Sequence, residues 1–106
     1  MGAQGTATLD FGAFPGASDA SVAVTGQAAI VAGSLVEAWL RPVDTADHTA
    51  DEHMVESLKV FAAAIVAGTG FTIYGFNTSE INEQPPPQSG RGTRIYGTWT
   101  VAWVWN

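Results

Sequence analysis

The sequence predicts an all-β fold, a single antiparallel β-sandwich or jelly-roll-like domain of six to seven strands over residues 1–106. Several segments alternate apolar and polar residues with the period of two that is typical of half-buried strands. Turn-forming glycines and prolines separate these segments. No segment shows a helical pattern that excludes a strand. A chain of 106 residues also suits one domain with its own core.

The clearest strand pattern lies at the end of the sequence, in residues 94–106. Period two places one set of side chains on one face: Ile95, Gly97, Trp99, Val101, Trp103 and Trp105. The opposite face carries Tyr96, Thr98, Thr100, Ala102 and Val104. An exposed edge this apolar would promote aggregation. We therefore predict one long strand in the interior of a sheet.

The first part of the chain predicts two further strands. Residues 1–5 read as a loose lead-in, and residues 6–11 and 19–25 alternate as strands do. Residues 12–18 contain Pro15 and Gly16 and form a turn segment, under which Phe14 is expected to tuck. The two strands form either a hairpin or a pair that crosses between sheets.

Residues 34–41 predict a strand with two different faces. Val36, Ala38 and Leu40 share one face, and Pro42 ends the strand. Trp39 lies on the other face between Glu37 and Arg41. Tryptophan and arginine are enriched at binding hot spots. We predict that Trp39, Glu37 and Arg41 contact a neighbouring subunit.

Residues 54–66 are compatible with two structures. Met54, Leu58, Phe61 and Ile65 recur at helical spacing. However, residues 60–66 also suit a fully buried strand, and the glycine-containing turn at 68–70 leads into an aromatic strand at 71–76. We favour a strand, because two apolar runs joined by such a turn predict a hairpin.

Residues 78–92 form a long proline-rich loop. Three consecutive prolines, Pro85, Pro86 and Pro87, favour an extended polyproline II segment. Such a stiff segment loses little entropy on docking. We predict that the loop, with Ile81 and Arg91, binds a neighbouring protein. The alternative is an insertion without a role.

Composition restricts the classes of partner. Ten acidic residues against four basic ones give a net charge of −6, which disfavours nucleic acids and anionic membranes as partners. The absence of cysteine excludes disulfides and thiolate metal sites. Only 13% of residues are charged, about half the usual share. A surface with so little charge predicts coverage by neighbours, as in a homo-oligomer or a larger assembly.

The densest polar cluster lies between Asp44 and Glu56 and includes His48 and His53. Imidazoles and carboxylates suit zinc, nickel or manganese. The spacing of the histidines matches no standard ligand motif, and neither a helix nor a strand places both on one face. We predict no structural metal, no cofactor and no catalytic centre, and interpret the cluster as a solvated acidic turn or a subunit contact. Trp39, Tyr74 and Tyr96 remain candidates for a sugar-stacking platform.

Five stretches carry a resemblance to a known group of proteins. They are TLDFGAFPG (8–16), SLVEAW (34–39), ADHTADEH (46–53), IVAGTGFTIY (65–74) and TVAWVW (100–105). Together they resemble small virion proteins of tailed bacteriophages. The resemblance implies a non-enzymatic structural protein that is made in the host cytoplasm and resides in the virion, bound to other virion proteins. A decoration or accessory protein of the capsid is the leading interpretation. The alternative is a tail- or fibre-associated module that binds host carbohydrate.

Overall fold

Two three-stranded antiparallel sheets pack together in the computed structural model, which describes residues 2–55, 58–77 and 94–106. In chain order, its elements are β1 (Ala3–Asp10), β2 (Asp19–Val24), β3 (Val36–Leu40), α1 (Ala50–Val55), β4 (Leu58–Val66), β5 (Gly70–Asn77) and β6 (Thr98–Trp105). The first sheet has the strand order β1-β6-β3, and the second has the order β2-β5-β4. The predicted all-β sandwich is confirmed.

Strand β6 is the central strand of the first sheet. It pairs with β1 from Ala3↔Trp105 to Asp10↔Thr98 and with β3 from Val36↔Trp105 to Leu40↔Val101. Its inward face buries the four residues that period two assigned to it: Trp99, Val101, Trp103 and Trp105. The interior position predicted for this segment is therefore confirmed.

The predicted length of the final strand is wrong, because Gly97 interrupts it. Gly97 has φ +84°, a left-handed conformation that is unfavourable for other residues. A Cβ atom added there would also lie 2.7 Å from the Cβ of Asp47. The strand consequently begins at Thr98, and Ile95 makes only an isolated bridge to Ala17.

In the second sheet, β4 and β5 form the predicted hairpin, with the turn at residues 67–69. A β-bulge follows Ala63, and Ala64 adopts φ +57°. The bulge adds one residue to β4 and so reverses its alternation. Val60 and Ala62 point inward before it, and Ile65 points inward after it. The strand interpretation holds, but β4 is not fully buried, since Phe61 is 48% exposed.

The core fills the space between the two inner faces. Leu9 from the first sheet and Ile73 from the second are both completely buried. Phe71 meets Trp103 edge to face, with ring centroids 5.5 Å apart. Gly75 permits the close approach of the sheets, because a Cβ there would lie 2.5 Å from the Leu9 side chain. In a close-packed interior, a change of even one methylene group at such a contact alters the stability of the fold.

Three details differ from the sequence predictions. Strand β1 begins at Ala3, so residues 3–5 are not a lead-in but pair with the end of the chain. Strands β1 and β2 lie in different sheets, and the hairpin alternative is wrong. A short helix, α1, lies within the polar cluster between Asp44 and Glu56, although the sequence pattern had predicted no helix there.

Deleting residues 103–106 should abolish cooperative folding. The deletion removes two buried indoles, Trp103 and Trp105, together with their pairing to β1 and β3. Each large-to-small loss of this kind costs about 3 to 5 kcal/mol, against a total stability of roughly 5 to 15 kcal/mol for a domain. Thermal unfolding followed by circular dichroism measures the effect. The full-length Trp39→Ala variant, altered at an exposed indole, is the control and should retain its transition. A truncated chain that melts like the wild type would contradict the central role of β6.

Candidate functional site

The structure brings Trp39, Glu37 and Arg41 together on the outward side of the first sheet. We call this surface the Trp39 face. Trp39 is 47% exposed, and the register aligns it with Ala102 of β6 and, beyond it, Thr6 of β1. A shallow pocket of about 240 Å³ lies here, lined by Gln4, Gly5, Thr6, Trp39, Arg41 and Ala102. The exposed indole of Trp39 is the largest apolar side chain on this face, and the residues beside it are small or polar.

The other predicted interaction residues lie outside the described residues. They are Ile81, Pro85, Pro86, Pro87 and Arg91 of the proline-rich loop. Their role in docking stays a prediction.

A second exposed aromatic surface lies on the outward side of the second sheet, and we call it the Phe61 face. Three aligned rows of residues form it: Asp19–Phe76–Lys59, Ser21–Tyr74–Phe61 and Ala23–Thr72–Ala63. Phe61 and Phe76 are 48% and 41% exposed, and their ring centroids lie 6.2 Å apart. The period-two pattern of residues 58–63 and 71–76 contains this surface, but the sequence interpretation treated β4 as buried on both sides.

A third surface, the Tyr96 groove, lies at the end of the sandwich where residues 94–97 approach the turn after β1. It encloses about 450 Å³ and is lined by Phe14, His48, Glu52, Arg94, Ile95, Tyr96 and Trp99. The rings of Phe14 and Tyr96 meet edge to face with centroids 5.5 Å apart. Phe14 is 79% exposed, so the expectation that it tucks under its turn is wrong. The groove offers aromatic surface with a carboxylate and a guanidinium among its lining residues.

Side-chain hydrogen bonds cap the start of α1. The Glu52 N–H donates to Thr49 Oγ1 at 3.3 Å, and the Thr49 N–H donates to Glu52 Oε1 at 2.8 Å. This reciprocal pair is a capping box, and the sequence T-x-x-E at 49–52 encodes it. Asp44 Oδ1 accepts a further hydrogen bond from the Ala50 N–H at 2.8 Å. Asp44 therefore supplies a second side-chain acceptor at the start of α1.

His48 and His53 converge on one side chain, that of Trp99, although neither a helix nor a strand by itself would place both on one face. His48 stacks on Trp99 with ring centroids 3.8 Å apart, and His53 lies 4.8 Å from the same ring. His48 precedes α1 and His53 lies within it, so no single periodicity relates them. Both histidines are buried.

Each nitrogen of the two imidazole rings has a hydrogen-bond partner. His48 Nε2 lies 2.6 Å from the Tyr96 carbonyl oxygen, and Nδ1 lies 3.3 Å from Glu52 Oε1. His53 Nε2 accepts from the Thr100 N–H at 3.1 Å, which leaves Nδ1 to donate to the Thr49 carbonyl oxygen at 2.8 Å. In the described part of the chain, no group of three or more acidic, histidine or cysteine side chains is placed to hold a metal ion.

Beyond the end of β3, side chains of Thr45, Asp47 and His53 supply the hydrogen-bond partners that a longer β3 would have given to β6. The Thr100 carbonyl oxygen accepts from the Arg41 N–H, but β3 ends at Leu40, and the Arg41 carbonyl oxygen accepts from the Val43 N–H at 2.9 Å instead of from Thr100. His53 takes the Thr100 N–H instead. At Thr98, Asp47 accepts from the N–H at 2.8 Å and Thr45 Oγ1 donates to the carbonyl oxygen at 3.0 Å. The polar cluster therefore completes the hydrogen bonding of the first sheet.

Two hydrogen bonds lower the pKa of Asp47 below its usual value of 3.8. The larger effect comes from the Thr98 backbone N–H, and the Thr98 hydroxyl contributes a second bond at 2.9 Å. Both favour the charged carboxylate over the neutral acid. Asp47 therefore links the stability of the fold to pH.

Comparison of the chain with protein-family models, curated proteins and solved structures gave no match.

None of the helices in residues 2–55, 58–77 and 94–106 has the length and apolar character needed to cross a membrane.

His53→Ala should destabilise the domain by about 2 to 3 kcal/mol, because it leaves the Thr100 N–H of β6 without its acceptor. Met54→Ala, at the next position of α1 where the side chain is 63% exposed, is the matched control and should change stability by less than about 0.5 kcal/mol. Urea denaturation of both variants measures the free energies of unfolding. Equal effects at the two positions would show that the His53 ring does not support β6.

Asp47→Asn should make stability less sensitive to acid. Because the folded pKa of Asp47 is depressed, its contribution is present above the unfolded value of about 3.8 and is lost as pH falls through the lower, folded value. The wild type should therefore lose stability more steeply than Asp47→Asn below that pH. Urea midpoints measured between neutral pH and pH values well below 3.8 test this, with exposed Asp51→Asn as control. If the urea midpoints of Asp47→Asn and the wild type decreased equally with falling pH, this prediction would be wrong.

Proposed function

We propose that this domain is a non-enzymatic structural protein of a bacteriophage particle, a capsid decoration or accessory protein that binds neighbouring virion subunits through the Trp39 face. The observation that carries the proposal is the exposed Trp39 of β3, which is 47% accessible and has Glu37 two residues before it and Arg41 two residues after it. An indole of this size contributes most to binding when a partner desolvates it. The two flanking charges supply polar contacts at the rim of such an interface.

The arrangement of the whole sandwich supports a role in assembly. Aromatic side chains are exposed on both outer faces, Trp39 on the first sheet and Phe61 and Phe76 on the second. Phe61 and Phe76 lie next to each other, with ring centroids 6.2 Å apart, and exposed clusters of apolar side chains mark interaction sites. Only 13% of the residues are charged, which fits a surface that neighbours cover. The sequence resemblance to small phage virion proteins adds the particle as the setting.

A second candidate function is favoured by the Tyr96 groove. Exposed Phe14 and Tyr96 stand beside Glu52 and Arg94, so the groove combines aromatic faces with hydrogen-bonding groups. Small-molecule sites commonly have this composition. On this alternative, the domain is a tail- or fibre-associated module that binds host carbohydrate.

Trp39→Ala should reduce the occupancy of the protein on phage particles by more than tenfold, because truncating a hot-spot tryptophan costs more than about 2 kcal/mol of binding. Its melting temperature should stay near that of the wild type, since the side chain is largely exposed. Cryo-electron microscopy of intact particles gives both the position and the occupancy.

Tyr96→Ala is the matched control, because it alters the groove and leaves the Trp39 face intact. It should retain occupancy, and a glycan array probed with the wild type should be silent. Normal occupancy of Trp39→Ala would contradict the proposed attachment. Sugar binding that Tyr96→Ala abolishes would favour the carbohydrate module instead.

A further inference from the structure

The Phe61 face has a charge pattern that a second copy of the same chain would complement. Among its nine positions, only Asp19 and Lys59 are charged, and they occupy the two ends of one row with Phe76 between them. Neighbouring strands are about 4.8 Å apart, so the two charged residues are separated by roughly 10 Å across β5. The Lys59 ammonium instead lies 5.5 Å from the centre of the Phe61 ring.

We propose that two copies of this chain pack through their Phe61 faces, related by a two-fold axis parallel to β5. This rotation places β5 over β5 and β2 of one copy over β4 of the other, without changing the alignment of the rows. Asp19 of each copy then faces Lys59 of the other, which forms two equivalent ion pairs. Self-complementary pairing of this kind is the defining property of a two-fold interface.

The sizes of the side chains fit the same arrangement. In the second row, the large Phe61 ring faces the small Ser21 of the other copy, and in the third row Ala63 faces Ala23. Phe76 and Tyr74 meet their own counterparts along the axis, where aromatic rings stack favourably with an offset. At the flanks, a large residue therefore opposes a small one in the second row and two small residues oppose each other in the third, while aromatic residues face each other at the centre of the first two rows.

The charges distinguish this axis from the other face-to-face arrangement. A two-fold axis across the strands would place Asp19 over Ala23 and Lys59 over Ala63, so that each charge would be covered without a partner. Covering an unpaired charge is costly. The axis parallel to β5 is therefore the one that the face supports.

The dimer is expected to be weak in isolation. Three strands at about 4.8 Å spacing and about six residues at 3.3 Å give a face of roughly 14 by 20 Å. A face of this size is smaller than that of standard stable interfaces. Dimerisation should therefore depend on concentration, and attachment of both copies to a particle would reinforce it. The inference goes beyond the attachment proposed for the Trp39 face and does not depend on it, since purified protein suffices to test it.

Sedimentation equilibrium of the full chain, from micromolar to millimolar concentration, tests the proposal. The wild type should dimerise, and Asp19→Lys and Lys59→Asp should each weaken dimerisation at least tenfold, because each places like charges opposite one another twice. An equimolar mixture of the two variants should form a heterodimer, since both pairs are then of opposite sign. The double variant Asp19→Lys/Lys59→Asp should dimerise like the wild type.

Two further variants locate the interface, and circular dichroism establishes that each remains folded. Phe61→Ala should weaken dimerisation, whereas Trp39→Ala should leave it unchanged. A wild type that stays monomeric at every concentration would overturn the proposal, as would variants Asp19→Lys and Lys59→Asp that fail to associate when mixed. If Trp39→Ala rather than Phe61→Ala abolished dimerisation, the Trp39 face would be the contact between copies and this inference would be wrong.

Discussion

The hydrogen bonding of β6 is the constraint on which much of this structure depends. The strand is central in its sheet, yet β3 ends at Leu40, and the Arg41 carbonyl oxygen beyond it accepts from the Val43 N–H rather than from β6. A buried strand cannot leave its polar backbone groups unpaired. The side chains of Thr45, Asp47 and His53 supply the missing partners. The short helix holds His53 in position, and the N–H groups of Asp47 and His48 donate to Thr45 Oγ1 and so fix the turn at residues 45–48. A segment that resembles a polar loop therefore supplies hydrogen-bond partners to the sheet.

The polar side chains that maintain the fold are different residues from the exposed side chains that a partner could contact. The histidines are buried against Trp99, and their ring nitrogens are engaged with the chain itself. The exposed aromatic residues, in contrast, stand on the two outer faces and at one end of the sandwich. A thin domain with an apolar surface on each side is suited to lie between neighbours. In the proposed function, these aromatic surfaces supply the contacts with neighbours.

Period two in the sequence was sufficient to predict the sandwich and the buried faces of β3 and β6, because alternation reports directly on which side of a sheet is covered. It also placed Trp39 outward with Glu37 and Arg41. The hydrogen bonds that β6 donates to Asp47 and His53 were not predictable, since they join residues about fifty positions apart. The residue at which β6 begins also depends on Asp47, because the Asp47 side chain packs against Gly97, directly before the strand. The Phe61 face escaped prediction because an apolar run of small residues does not distinguish one covered side from two.

The pairing of Ala3 with Trp105 has a topological consequence. The first and last strands of the described chain are antiparallel neighbours, so their ends meet at one edge of the molecule. A short peptide joining residue 106 to residue 2 would turn β6 and β1 into a hairpin and close the backbone into a ring. The ring could then be opened at the exposed turn of residues 67–69, where circular permutation is generally tolerated. In such a permuted chain, β6 and β1 would become consecutive strands in the interior of the sequence.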